Sequence, residues 1–279
     1  MVALGYVAAF IVLVVVWFYV PYSPLKADFE KDAKELDEAT ALFKKGEIFT
    51  ADEFVNLPTA IQNFIVKSGY IGKRRMNRLT MEYRNVAFSQ GKNGPSLKIN
   101  YTQHDYVKAP HRLAMIESSM FGIPFQGYDY YRDGKGGMKG VIAKIFTLFN
   151  QTGAEMDRAC LATFLAESLF APTILLQDYI KFEELNAHQV RATISAFGQT
   201  VSGIFNFNDE YEMTSFTTND RAVVAPDGSI EYVPWSAICG DYKVSDDGIK
   251  LPTKFQAVWN YKDGDFVYFD GKISRIVYE

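Results

Sequence analysis

Residues 157–178, DRACLATFLAESLFAPTILLQD, place one carboxylate, Glu167, in the middle of an apolar run. Apolar side chains recur there at helical spacing, so the run predicts a helix that Pro172 ends and an extended apolar segment after it. One mildly polar stripe of this helix contains Asp157, Cys160, Thr163 and Glu167. A buried carboxylate without a partner costs several kcal/mol, so Glu167 needs either a partner or a cavity.

Two roles are compatible with this position of Glu167. In a structural role, its carboxylate accepts backbone N–H groups of a loop or pairs with an arginine such as Arg112 or Arg221. In a functional role, it points into a cavity, where desolvation raises its pKa. The loop backbone is the expected partner, and the cavity is the alternative.

Antiparallel hairpins are predicted for most of the chain around this helix. From Met76 onward, apolar and polar residues alternate in short runs that turn dipeptides separate. One Asp-Gly pair predicts a hairpin within residues 266–278, FVYFDGKISRIVY. We expect an α+β fold with a large curved antiparallel β-sheet, a half-barrel-like meander with helices packed on one side. The Asn-Gly and Asp-Gly pairs that favour hairpin turns begin at Asn93, Asp133, Asp227, Asp247, Asp263 and Asp270.

The N-terminal part of the sequence predicts a membrane anchor. Residues 3–20, ALGYVAAFIVLVVVWFYV, are uncharged and apolar. As a helix they would reach about 27 Å, close to the thickness of a bilayer's hydrocarbon core. Trp17 and Tyr19 at the end of the stretch suit the headgroup region. The absence of an early Lys or Arg and of a small-residue cleavage site favours a transmembrane helix over a cleaved signal peptide.

The lysines after this stretch bear on the side of the membrane. Lys26, Lys31 and Lys34 follow the span, which by the positive-inside rule favours a cytoplasmic domain. Acidic residues interleave with these lysines, however, and exported domains are also tethered by an N-terminal span. We expect a single-pass membrane protein whose soluble domain is extracytoplasmic.

These patterns divide the chain into three parts. They are a transmembrane anchor (residues 1–22), an amphipathic helical stalk (23–53) and a single β-rich domain (54–279). In the stalk, residues 27–45 carry an apolar stripe, and their charges are expected to form a solvated face. Residues 57–69, LPTAIQNFIVKSG, predict a short helix at the start of the β-rich domain.

Composition and motifs argue against several classes of function. The net charge of −4 and the lack of a long Lys/Arg run argue against a nucleic-acid partner. HExxH, GxSxG and GxxxxGK[ST] motifs are absent from the sequence, and Cys160 and Cys239 have no metal-binding spacing, so we expect no cofactor and no metal. His104, His111 and His188 have no predicted catalytic partner and are expected to lie at the surface or at strand edges.

Aromatic residues are concentrated in two short stretches, residues 121–134, FGIPFQGYDYYRDG, and residues 231–242, EYVPWSAICGDY. Such rings line cavities for apolar ligands, and they also pack ordinary sheets. If a cavity lies against the predicted helix, its candidate ligand-binding residues are Glu167, Thr163, Phe125, Tyr128, Tyr130, Trp235 and Tyr242.

The order and spacing of four segments resemble an uncharacterised bacterial family of unknown function, from residue 54 to residue 279. The most specific piece is L-A-E-x4-P-T-x-L-L, which runs from Leu165 to Leu176. The family pattern has Arg-Tyr ahead of this motif and Trp two residues before the Pro, where this chain has ATFLAE and Phe170. A curved sheet with a helical plug is also similar, at the level of architecture, to LolA/LolB lipoprotein carriers. The four segments are LPTAIQNFIVKSG (57–69), DYYRDGKGGMKG (129–140), LAESLFAPTILL (165–176) and VPWSAICGDYKVSDDGIKLPTKFQAVW (233–259).

Three functions of different classes follow from the sequence. The first is a membrane-anchored, non-catalytic module that holds an apolar or amphiphilic, lipid-like ligand in an aromatic-lined concavity. The second is a hydrolase or isomerase that uses Glu167 as acid or base. The third is a structural or assembly partner of another membrane protein, bound through an exposed apolar patch.

Overall fold

The structure is a computed structural model that describes residues 2–39, 46–89, 91–92, 94, 96–224 and 228–279. Asn93 and Asp227, which begin two of the predicted hairpin dipeptides, lie outside the described residues. Residues 40–45, the end of the predicted stalk helix, also lie outside them.

The described residues contain four α-helices. Single 3-10 turns also occur at Ala51–Phe54, Ser168–Phe170 and Pro172–Leu176. The α-helices are α1 (Val2–Tyr19), α2 (Pro24–Ala39), α3 (Thr59–Lys67) and α4 (Ala154–Glu167).

Strands make up most of the rest of the chain. They are β1 (Arg78–Ser89), β2 (Ser96–Tyr106), β3 (His111–Met120), β4 (Ile123–Arg132), β5 (Lys135–Ile142), β6 (Phe146–Thr152), β7 (Ile180–Asn186), β8 (Gln189–Ala196), β9 (Gln199–Phe207), β10 (Met213–Thr218), β11 (Ala222–Val224), β12 (Ile230–Tyr232), β13 (Trp235–Val244), β14 (Lys250–Tyr261) and β15 (Gly264–Tyr278).

Thirteen strands form one open sheet in the order β6-β5-β4-β3-β2-β1-β15-β14-β13-β10-β9-β8-β7. Its neighbouring strands pair antiparallel, and β11 and β12 form a separate hairpin. Within this sheet, strands that follow one another along the chain are neighbours, except that β6 and β7 lie at opposite edges. The last strand, β15, pairs with the first strand, β1, as well as with β14. The predicted α+β class, with a large antiparallel sheet that does not close into a barrel, is confirmed.

Helix α4 connects the two edges of this sheet. It follows edge strand β6 and precedes edge strand β7 in the chain. The helix contacts β5 near one edge and β9 near the other, although eight strands lie between them in the sheet order. The sheet therefore curves around α4, and the predicted helix on its inner side is confirmed.

Helix α2 covers part of the opposite face. Leu113 and Met115 pack with α2, whereas their neighbours Ala114 and Ile116 belong to the main core on the α4 side, as alternation along a strand requires. Part of the charged face of the predicted stalk is thus not solvated, because Asp32 faces the sheet. The apolar residues of α2 in this contact are Leu25, Phe29, Ala33 and Leu36.

Two local predictions were wrong. Asp270-Gly271 does not turn the chain; β15 runs straight through it, because β1 and β14 both pair with Asp270. A Cβ on Gly271 would meet Val86 Cγ2 at 2.9 Å, so this glycine permits close packing rather than a turn. The segment after α4 is not extended: Pro172 begins a 3-10 turn, since its fixed φ suits a first helical position.

The hairpin at Asp133-Gly134 was predicted correctly. Asp133 and Gly134 have φ values of 51° and 79°, which suit the tight turn between β4 and β5. The short helix predicted within residues 57–69 is α3, which buries Ile61 and Phe64.

The N-terminal helix is apolar and exposed. One helical stretch of the described residues, Val2–Ala39, is long and apolar enough to cross a membrane, and none of its most apolar part is buried. These properties suit a membrane span, and a signal sequence shares them.

Candidate functional site

A cavity of about 210 Å³ lies between α4 and the sheet. Strands from both halves of the sheet and the β11–β12 hairpin contribute to its lining. Its apolar wall includes Phe88, Met156, Phe149, Trp259, Phe266 and Phe269.

A polar cluster around Arg112 lies at one side of this cavity. Arg112, on β3, is only 3% exposed. Its Nε donates to Glu167 Oε2 at 3.0 Å, and its Nη1 donates to Asp129 Oδ2 at 2.8 Å. Its Nη2 donates to Tyr101 Oη and, at 3.2 Å, to Gln103 Oε1. These protein acceptors occupy all three guanidinium nitrogens of Arg112.

Gln103 links the cluster together. Its Nε2 donates to Glu167 Oε2 at 2.7 Å and to Asp105 Oδ2 at 2.7 Å. Glu167, the last residue of α4, is thus joined to β2 through Gln103 and to β3 through Arg112. The predicted arginine pairing of Glu167 is confirmed for Arg112. The expected loop backbone was wrong, because the two donors to Glu167 in the described structure are side chains of strands.

Three carboxyl groups share this one guanidinium. Asp105 is 1% exposed, and its Oδ1 has no hydrogen-bond partner among the described residues. Burial raises the pKa of Asp105 well above its usual value, and the nearby Glu167 charge raises it further. Burial also raises the pKa of Glu167, although Arg112 opposes the shift. The cluster therefore retains a proton above the usual pH range of carboxylic acids.

Three predicted ligand-binding residues line the cavity: Glu167, Thr163 and Trp235. Thr163 Oγ1 donates to the Ala159 carbonyl one turn earlier at 2.9 Å. Cys160, on the predicted polar stripe, also lines the cavity, and burial raises the pKa of its thiol.

The other four predicted residues lie outside the lining. Phe125 is buried in the main core. Tyr128 and Tyr130 belong to the contact with α2, on the face opposite Asp129, because successive residues of a strand alternate in direction. Tyr242 packs at the edge of the core and donates to the Met213 carbonyl at 2.9 Å.

Several lining residues were missed by the sequence reading. Gln103 alternates with Tyr101 and Ile99 on the buried face of β2. A polar residue in register with buried apolar ones is a signal that could have identified the cluster. Asp129 lies between two tyrosines, and the sequence alone did not show which of the three faces inward.

Arg221 also lines the cavity and does not pair with Glu167. Its guanidinium carbon lies 4.4 Å from the ring centroid of Trp235 and 5.4 Å from that of Trp259. The Nε and Nη1 atoms of Arg221 are buried and have no hydrogen-bond partner among the described residues.

Several solved structures match the chain, at low similarity. A "putative outer membrane lipoprotein-sorting protein domain" from Vibrio parahaemolyticus matches with a TM-score of 0.42 and 9% identity, over 79% of this chain and 91% of that chain. A DUF1329 family protein from Desulfovibrio piger matches with a TM-score of 0.39 and 8% identity, over 79% of this chain and 92% of that chain. The loose resemblance to lipoprotein carriers is found here, but TM-scores this low say nothing about what this chain binds.

The comparison with protein families shows the family of the chain. A comparison with curated proteins gave no match. The model of a family of unknown function (DUF6544) matches residues 47–271, which is most of the chain. The family resemblance predicted from the sequence motifs is confirmed, and the chain belongs to this family of unknown function, DUF6544.

Proposed function

We propose that the protein is a membrane-anchored module that holds an amphiphilic, lipid-like ligand in the cavity beneath α4. The observation that carries this proposal is the combination of an apolar, aromatic wall with a few polar groups at defined positions. The apolar wall suits an acyl chain, and the polar groups suit a headgroup.

The volume of the cavity limits the ligand. At about 210 Å³ it is smaller than typical ligand pockets of about 300–1,000 Å³, and larger than an engineered cavity of about 150 Å³ that holds benzene. A single acyl chain, or part of one, fits this space better than a whole diacyl lipid.

Filling the cavity tests the proposal. Thr163→Phe places a ring in the space from α4, and Thr200→Phe is the matched control, because Thr200 is exposed on β9 and does not line the cavity. Binding of the neutral fluorophore N-phenylnaphthylamine to the full chain in amphipol would be titrated for each variant. We expect Thr163→Phe to weaken binding at least tenfold and Thr200→Phe to leave it unchanged. Equal binding by both variants would contradict the proposal.

The proposed membrane anchor is α1, and contacts at its C-terminal end support an attachment close to the sheet. Trp17 Nε1 donates to the Ala143 carbonyl at 3.1 Å. Lys144 Nζ donates to the Trp17 carbonyl at 2.9 Å and also to the Val20 carbonyl. These bonds satisfy carbonyl groups at the end of α1, which have no partner within the helix.

Exposed apolar side chains surround this attachment point. The turns between β3 and β4 and between β5 and β6 lie at the same end of the sheet, because these four strands are consecutive and antiparallel. We therefore place this end of the sheet on the bilayer surface, where apolar side chains beside a span are stabilised. The exposed side chains are Phe121, Ile123, Ile145, Phe146 and Leu148.

The extracytoplasmic position of the domain is part of the same proposal. Fusion of alkaline phosphatase after Glu279 would test it, since this enzyme is active only after export. An active fusion is expected. An inactive phosphatase fusion together with a fluorescent cytoplasmic reporter fusion would place the domain inside the cell.

Catalysis by Glu167 is the second candidate function. Its carboxyl lines the cavity, and burial raises its pKa, as a general acid requires. A Glu167→Gln variant separates the two functions, because the amide retains an acceptor for Arg112 and Gln103. If the protein only binds its ligand, mass spectrometry would recover that ligand chemically unchanged from both the wild type and the variant. Conversion by the wild type alone would favour an enzyme.

A further inference from the structure

Arg221 is the cavity residue whose hydrogen bonds the described structure leaves open. It immediately precedes β11, whose three residues also line the cavity. Its planar guanidinium is held against Trp235, with a carbon-to-centroid distance of 4.4 Å, by a cation–π contact. This contact fixes the position of the group but uses none of its N–H donors.

The unpaired donors point to a missing acceptor. Nε and Nη1 of Arg221 are buried without a hydrogen-bond partner in the described residues. A buried donor without an acceptor destabilises the protein, and more strongly when it carries charge, because its lost hydration is not replaced. The neighbouring Arg158 shows the usual solution, because its Nη2 donates to Asp220 Oδ1 at 3.1 Å.

The other cavity arginine is not available to a ligand. Each guanidinium nitrogen of Arg112 donates to a protein oxygen, and the guanidinium is surrounded by three carboxyl groups. An incoming anion would therefore meet negative charge near Arg112 and free N–H donors at Arg221. The two arginines divide the cavity into a self-contained polar cluster and an open donor site.

We propose that Arg221 binds the anionic headgroup of the ligand, a carboxylate or a phosphate, while its acyl chain lies along the apolar wall. This inference rests on the proposed function and names the class of ligand: single-chain anionic amphiphiles. Oxygen atoms of either anion satisfy guanidinium N–H donors through charge-assisted hydrogen bonds. Trp235 positions Arg221 for this contact.

Matched ligands test the headgroup. Decanol, decanoate and decyl phosphate share one chain length and differ in charge, and inorganic phosphate supplies the anion alone. Their dissociation constants would be measured by calorimetry at pH 8 on the full chain in amphipol. We expect the wild type to bind both anionic amphiphiles at least tenfold more tightly than decanol, and inorganic phosphate much more weakly than decyl phosphate.

Three variants assign the preference to Arg221. In Arg221→Gln the three amphiphiles are expected to bind within about threefold of one another, with the affinity for decanol retained. Arg221→Lys keeps the charge and is expected to retain part of the preference. Arg158→Gln is the control, because Arg158 does not line the cavity, and it is expected to behave as the wild type. The melting temperature of each variant would confirm that it is folded.

The other outcomes overturn the inference in distinguishable ways. Equal binding of decanol and decanoate by the wild type would refute the anionic site and leave the proposed function standing. Inorganic phosphate that binds as tightly as decyl phosphate would assign Arg221 to a free anion rather than a headgroup. A preference that survives Arg221→Gln would place the anion elsewhere. No binding of any amphiphile would overturn both the inference and the proposed function.

Discussion

Arg112 Nε lies 3.0 Å from Glu167 Oε2, so a buried ion pair joins strand β3 to the last residue of α4. The pair is part of a cluster in which carboxyl groups outnumber the guanidinium three to one. Such a cluster is stable only if its members stay together, because each one is desolvated.

Removal of Arg112 should therefore destabilise the fold strongly. Arg112→Leu leaves three carboxyl groups, that of Asp105 fully buried, without their cation, and we expect a loss of about 3–5 kcal/mol in the free energy of unfolding. Arg132→Leu is the control, because Arg132 is about a third exposed and its ion pairs with Asp32 and Glu35 are worth at most about 1 kcal/mol. Chemical denaturation of both variants measures the difference; equal losses would mean that the cluster does not stabilise the α4 contact.

Asp105 should make stability fall as the pH rises. Its pKa in the folded protein is raised above the ordinary value near 3.8, so the folded state binds more protons than the unfolded chain above that pH. The contribution of protonated Asp105 is complete below pH 3.8 and is lost as the pH rises through the folded pKa. We expect the melting temperature of Asp105→Asn to decrease less than that of the wild type as the pH rises from 4. A variant curve parallel to that of the wild type would show that Asp105 is ionised in the folded protein.

His104 should make the stability of the fold decrease as the pH falls. Burial lowers the pKa of His104 to about 4, and its ring stacks on Phe29 of α2 with a centroid distance of 5.3 Å. The neutral ring is favoured in the fold, so stability is present above the ordinary pKa near 6.5 and is lost as the pH falls towards 4. The loss amounts to at most about 3 kcal/mol.

A variant isolates this histidine. His104→Gln is expected to remove most of the loss of stability between pH 6.5 and pH 4, as measured by chemical denaturation. His188→Gln is the control, because the side chain of His188 is 40% exposed and its ring stacks on Tyr211. If the two variants lose stability equally on acidification, the stacking of His104 on Phe29 is not the pH-sensitive contact.

The apolar hairpin turns should enter the headgroup region of a bilayer. Phe146 is 63% exposed at the end of the sheet where α1 attaches, and Cys160 and Cys239 are buried, so Phe146→Cys offers a selective labelling site. We expect the emission of an NBD label there to shift to the blue when the full chain is reconstituted into liposomes.

A label at Lys135→Cys provides the control, because Lys135 lies at the opposite end of β5. Its emission is expected to stay that of a label in water. A shift at Phe146→Cys that requires membrane extract, and is absent in protein-free liposomes, would instead support binding to another membrane protein through this patch.

The architecture was predictable because turn chemistry and alternation are local. Asp133-Gly134 demands positive φ at two successive residues, and a two-residue hairpin turn follows. Asp270-Gly271 has the same sequence signal, but two neighbouring strands hold it extended, and nothing in the dipeptide shows that its flanking strand is central. Tertiary pairing overrides the local preference at this position.

The candidate site was only partly predictable, because it depends on pairing between distant strands. Glu167 stood out as a charge in an apolar helix, and Arg112 was one of the two arginines named as alternatives to a loop backbone. Which arginine it meets depends on the position of β3 beneath the end of α4. Likewise, Tyr128 and Tyr130 alternate with Asp129, but alternation alone does not assign either set to the inner face.

The position of β15 determines when the sheet can form during synthesis. One arm of the sheet consists of β1 to β6, and the other consists of β7 to β10, β13 and β14. Residues 264–278 form the strand that hydrogen-bonds to both β1 and β14. Until the ribosome has released these residues, each arm exposes an unpaired strand edge, which is a site for aggregation. Pairing of β1 with β15 joins residues that are far apart in the chain, so we expect this pairing to form slowly.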